Sequence, residues 1–163
     1  MARDPTEDLR SFVVANFDTS AISVTFSTDD IEHANYDDGP TYPSVAIVSE
    51  DPSVLGGGPM DVSAIAGGGG GAVQETVVSV LVDCWGGIHE TQIYHDEGSN
   101  PDVVAKELAH ETHRVCFDAI PSEAPAGYEL ISAAPPRSAH DTDASPTVRR
   151  YQTTCYLKYT DRP

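Results

Sequence analysis

Thr76-Val77-Val78-Ser79-Val80-Leu81-Val82-Asp83-Cys84-Trp85 is the most strand-like stretch of the chain, and its reading decides the fold class. Successive side chains of an extended chain point to opposite faces, so Val78, Val80, Val82 and Cys84 share one side and Val77, Leu81 and Trp85 the other. A sheet has to be assembled around this strand, and the neighbouring segments supply it. Residues 148–160 alternate over a long run, with Tyr151, Thr153, Cys155, Leu157 and Tyr159 on one face and Arg150, Gln152, Thr154, Tyr156 and Lys158 on the other. Residues 128–133 read as a further strand. Residues 43–50 carry Val45, Ala46, Ile47 and Val48, a short strand buried on both sides. Residues 21–27 set Ile22, Val24 and Phe26 against Ser23 and Thr25, which predicts a strand with one buried face.

Two helices complete the inventory. Asp4-Pro5-Thr6-Glu7 combines a capping residue, a first-turn proline and a glutamate three after the cap, ahead of Leu9, Phe12, Val13 and Phe17. It predicts a helix over residues 5–18. Asn100-Pro101-Asp102 repeats the cap-plus-proline pattern and opens a helix to about residue 119, with Val104, Leu108, Val115, Cys116 and Ala119 inward. Residues 28–42 read as an acidic loop and 135–146 as a polar turn region, while 86–99 is ambiguous, with a short strand around Ile88 to Tyr94 as one reading. Residues 51–72 contain Gly56-Gly57-Gly58-Pro59 and the run Gly67, Gly68, Gly69, Gly70, Gly71. So much glycine loses too much entropy on ordering to sit in a helix or strand, so this stretch is expected to be a long hairpin tip. The expectation is a single α+β domain over 1–163: a mixed or antiparallel sheet, two helices packed on one face, and a long glycine-rich hairpin loop.

The chain has 163 residues and a formal charge of −17, from 26 acidic and 9 basic side chains. Only two of the bases are lysines, Lys106 and Lys158, and aspartate outnumbers glutamate. Binding to the phosphate backbone of nucleic acid needs clustered Lys and Arg, and no cluster stands beyond Arg149-Arg150. No apolar run approaches the roughly 20 residues of a bilayer span, and the first residues carry no apolar leader core, so no membrane partner is expected and the chain reads as soluble. An apolar content of 39% in periodic runs argues for a packed domain rather than disorder. Charge this far from zero destabilises a compact state unless salt screens it, and molar salt shortens the Debye length to about 3 Å. An Asp-rich, Lys-poor globular chain therefore points to a halophilic host.

Catalytic and metal-binding patterns are weak. Cys84, Cys116 and Cys155 fit no zinc spacing and read as buried free thiols. His110-Glu111-Thr112-His113, one turn after Glu107, is the most metal-like cluster, and a metal-dependent enzyme using His110 and His113 is the alternative of another class. A zincin places its histidines four apart, not three, and the face that carries Lys106 and Arg114 is expected to be solvated. Asp141 and Asp143 lack the rest of a calcium loop, and the pairs Asp29-Asp30 and Asp37-Asp38 read as surface charge. Neither glycine run leads from a strand into a helix as a phosphate loop does. No cofactor is expected and no enzyme.

The helix at 5–18, the strand after Tyr42-Pro43, the glycine-bearing hairpin into Val77–Trp85, the helix at 102–119 and the alternating ending at 148–159 together resemble the tail-terminator family of long-tailed phages and archaeal viruses. These tail-completion or neck proteins are of the lambda tail-terminator type, and the likeness lies in element order over nearly the whole chain. The resemblance implies a homo-oligomer, typically a hexameric ring, at the head-proximal end of the tail tube. Its partners would be the tail tube protein and the head–tail connector proteins, with DNA passing through the lumen unbound. Its place would be the virion, after assembly in the host cytoplasm, and an adjacent neck component is the nearest alternative. A ring uses heterologous contacts. The expected interface takes in Arg150, Gln152 and Tyr156 on the outer face of the last strand, Trp85 at a strand end, and the glycines 67–71.

Overall fold

The computed structural model describes residues 4–33, 43–54, 74–87, 100–117, 124–139 and 148–161. Helix α1 (Pro5–Asn16) is followed by strands β1 (Ile31–His33), β2 (Ser44–Val54) and β3 (Gln74–Gly87). Helix α2 (Pro101–Phe117) and strands β4 (Leu130–Ala133), β5 (Arg137–Ser138) and β6 (Val148–Asp161) complete the order. The strands form one mixed sheet in the order β1-β2-β3-β6-β4, with β5 also on β6. β1 runs parallel to β2, and every other pairing is antiparallel. Among the described residues this is an α+β fold of two helices and six strands.

The long pairing of β3 with β6, running from Gln74↔Asp161 to Gly87↔Val148, is the spine of the sheet. Val78, Val80, Val82 and Cys84 are buried on its inner side, as are Thr153, Cys155 and Leu157 from β6. Helix α2 packs over β3 and β6 and reaches β4, while α1 packs over β1 and β2. Their inward stripes, Leu9 and Val13 from α1 and Val104, Leu108, Val115 and Cys116 from α2, join the strands and Phe17, just past the end of α1, in one apolar core. Both helices thus cover the same face. Tyr151 and Tyr159 pack partly buried against this core, which leaves Tyr156 as the tyrosine of β6 on the outside, 38% exposed.

The helix starts form for the reasons the residues imply. Asp4 caps α1 by accepting the Glu7 N–H at 3.2 Å, with Pro5 in the first turn. Asn100 does the same for Asp102 N at 2.9 Å. The Glu7 carboxylate meets His33 Nε2 at 2.7 Å and the Ser11 hydroxyl at 3.1 Å. Those two contacts hold it below the usual carboxylate range.

Three segments differ from expectation. Residues 22–27 are not a strand: Ile22, Val24 and Phe26 are buried in alternation as predicted, but the backbone joins no ladder. The Ser23 N–H instead donates to the Glu107 carboxylate at 2.8 Å, and the edge of the sheet beside β2 is occupied by β1. That edge strand lies within 28–42, where only a loop was expected. The third is β5, inside the expected turn region at 135–146. It continues β4 along the same side of β6, through Ala134 N–H to the Thr154 carbonyl at 2.8 Å and Ala139 N–H to Arg150 at 3.0 Å. Pro135 and Pro136 stand between them. Proline has no N–H to give a ladder, so this edge is broken into two short pieces that resist further strand addition. Strand β2 runs on to Val54, past the expected end at residue 50, with a register irregularity between Ile47 and Ser49. Helix α1 stops at Asn16, because Phe17 turns to extended backbone. The glycine-rich loop and the segment after Gly87 lie outside the described residues.

Candidate functional site

Two places gather the residues singled out from the sequence. The first is the outer face of β3 and β6, on the side away from the helices. Register sets Trp85 beside Arg150, Asp83 beside Gln152, Leu81 beside Thr154, Ser79 beside Tyr156 and Val77 beside Lys158. Trp85, Arg150, Gln152 and Tyr156 therefore share one surface, because strand alternation puts every second residue of both strands there. Its centre is Leu81, Thr154 and Tyr156, and each end carries an ion pair. Lys158 Nζ lies 3.5 Å from Glu75 and 3.9 Å from Glu129.

At the other end, Arg150 does several things at once. Its Nη1 stands 3.7 Å from Asp83, whose side chain is only 1% exposed. Its Nε–H donates to the Ala139 carbonyl at 3.0 Å, and its guanidinium lies over the Trp85 ring at 5.0 Å. The arginine expected to reach outward to a partner is thus built into the sheet, holding a buried carboxylate, the β5 edge and an indole together. Gly67, Gly68, Gly69, Gly70 and Gly71 fall outside the described residues.

The second place is the outer side of α2. A cleft of about 550 Å³ runs between α2 and Ala21, lined by Lys106, Glu107, His110, Glu111 and Arg114. His113 is turned elsewhere and stacks on Phe117, with ring centroids 5.1 Å apart. The two histidines do not converge, and among the described residues no three His, Cys, Asp or Glu side chains are grouped to hold a metal ion. Lys106, His110 and Arg114 are exposed as expected. Glu111 is not: it is 6% exposed, accepts the Asp18 N–H at 3.0 Å, and is gripped through both oxygens by Arg114 Nε at 3.1 and 3.0 Å. Glu107 takes both the N–H and the hydroxyl of Ser23, at 2.8 and 2.9 Å. The two carboxylates hold the segment after α1 onto α2 and are spent as ligands. Asp18 turns back on its own chain, where the Ser20 hydroxyl and N–H hold its carboxyl below the usual range.

Glu111→Ala is expected to lower stability by about 1–2 kcal/mol, since the Asp18 N–H loses its acceptor and Arg114 its partner. His110→Ala, on the exposed side of the same helix, is expected to stay within about 0.5 kcal/mol of the parent. Urea unfolding of the two variants measures both.

The acidic pair at 29–30 also departs from plain surface charge. Partial burial and the charges of Glu32 and Asp29 raise the Asp30 carboxyl above its ordinary 3.8. The three cysteines are buried free thiols. Burial pushes the Cys84 thiol far up despite its contact with Thr112, which makes it a poor nucleophile. Asp37-Asp38, His140, Asp141 and Asp143 lie outside the described residues.

Sequence reasoning missed the roles of Asp83, Glu107 and Glu111. The spacing of Glu107, Glu111 and Arg114 marks a helix surface, but nothing in it signals partners more than eighty positions away. Among the described residues, no helix is long and apolar enough to cross a membrane. Compared with known proteins, the chain matches no family model and no curated sequence.

Proposed function

We propose that this chain is a structural virion protein. It forms a ring at the head-proximal end of the tail tube, ending the tail and joining it to the head connector in a tailed virus of a halophilic archaeal host. The observation that carries the reading is the outer face of β3 and β6. It sets a half-exposed centre of Leu81, Thr154 and Tyr156 between ion-paired ends, and an aromatic centre with a charged rim is the anatomy of a protein interface. The resemblance in element order supplies the ring and its partners. The edge formed by β4 and β5 is short and interrupted, which favours face contacts over strand addition there. A protomer of charge −17 suits a channel that DNA crosses without being held.

Native mass spectrometry and negative-stain imaging of the chain in molar salt, with and without tail tubes, test the reading. A closed ring, lost in a folded Tyr156→Arg variant, is the expected result. A strict monomer that also leaves tail tubes uncapped overturns it.

A further inference from the structure

Cys116 and Cys155 come from the two layers of the fold and meet at its centre. Cys116 is the penultimate residue of α2 and Cys155 lies midway along β6. Both are fully buried and their sulfurs are 3.2 Å apart. That is about an ångström more than the ~2.04 Å of a disulfide bond. Cys155 faces the helix between Thr153 and Leu157, in register with Val80 on β3 and Ala133 on β4. The third thiol, Cys84, makes a different and longer contact, 3.9 Å to the Thr112 hydroxyl.

We propose that Cys116 and Cys155 are a dithiol site that a small-molecule disulfide, such as oxidised glutathione, converts into an intrachain disulfide joining α2 to β6 while Cys84 stays reduced. The Cys116 thiolate attacks one sulfur of the oxidant, which breaks the oxidant's S–S bond, forms a mixed disulfide and releases one glutathione. The Cys155 thiolate then attacks the mixed disulfide at the Cys116 sulfur and releases the second. Two electrons pass from the protein sulfurs to glutathione, and the two thiol protons end on the released glutathione. Contact with Cys116 and burial both push the Cys155 thiol up, so exchange within the closed fold is slow. The last turn of a helix is the first to open, and it carries Cys116. Once made, the bond ties helix to sheet and restricts the unfolded chain. The site is independent of the ring reading and stands on the meeting of the two sulfurs.

The test unfolds the full chain in denaturant and refolds it in a glutathione redox buffer of oxidising poise, so that access to the buried thiols does not limit the result. Expected are a fall from three free thiols to one, a mass lower by two hydrogens, and a Cys116–Cys155 link that exceeds the two pairings with Cys84 by about tenfold or more. A Cys84→Ala variant should form the same link, and Cys155→Ala should not. Three persistent thiols, stable glutathione adducts at Cys116 or Cys155, or links shared equally with Cys84 would overturn the proposal.

Discussion

Gly86→Ala is expected to destabilise the protein by about 3 kcal/mol or more, a large share of the roughly 5–15 kcal/mol that holds a domain folded. Gly86 lies on the inner side of β3 near its end, directly beneath the first turn of α2. A Cβ there would overlap the Pro101 carbonyl oxygen and stand 2.8 Å from the Ala105 nitrogen. Both neighbours are backbone atoms of a helix that is itself packed on the sheet, so no side chain can swing aside to make room. Relief would require lifting the start of α2, which carries Val104 and Leu108 into the core. The urea midpoint of Gly86→Ala measures the effect. A midpoint equal to the parent's would mean that α2 does not cross the sheet at that height.

Arg150→Ala is expected to cost about 3 kcal/mol, because it removes the ion-pair partner of a carboxylate that is 1% exposed. The same substitution ends the stacking on Trp85 and the hydrogen bond to the β5 edge. Arg150→Lys keeps the charge but not the planar fork, so its loss should be intermediate. Adding Asp83→Asn to Arg150→Ala should restore much of the stability, because the carboxylate charge goes with its partner. Denaturant unfolding of this set, run as a double-mutant cycle, gives the coupling directly. It also separates two roles for Arg150: loss of stability in the monomer is internal structure, and loss of ring formation in a stable variant is interface.

Much of the fold was legible from periodicity. The inner and outer faces of β3 and β6, the inward stripes of both helices and their caps follow from alternation, helical spacing and turn chemistry, all of which act over a few residues. Residues 22–27 show the limit of that reasoning. Their burial alternates as a strand's does, yet strand identity depends on a hydrogen-bonding neighbour, and there the donor of Ser23 goes to Glu107 on α2. Strands β1 and β5 escaped for the opposite reason: three residues and two residues carry no periodic signal, and their pairing is supplied by β2 and β6. The interface candidates on the sheet were readable as one face, because register and alternation place Trp85, Arg150, Gln152 and Tyr156 together. That Arg150 is turned to a buried partner was not.

From the chain alone come its strong acidity, the absence of a basic track for nucleic acid, the α+β class, and which side of each long element faces inward, since each of these depends on composition or on neighbours a few positions apart. The assembled fold settles the rest. It makes Gly86 irreplaceable under α2, sets Asp83 beside Arg150, gives Glu107 and Glu111 their distant backbone partners, and brings Cys116 to Cys155. Each of these is a contact between segments far apart in sequence, and a side chain's chemistry does not say which distant atom packing will place against it.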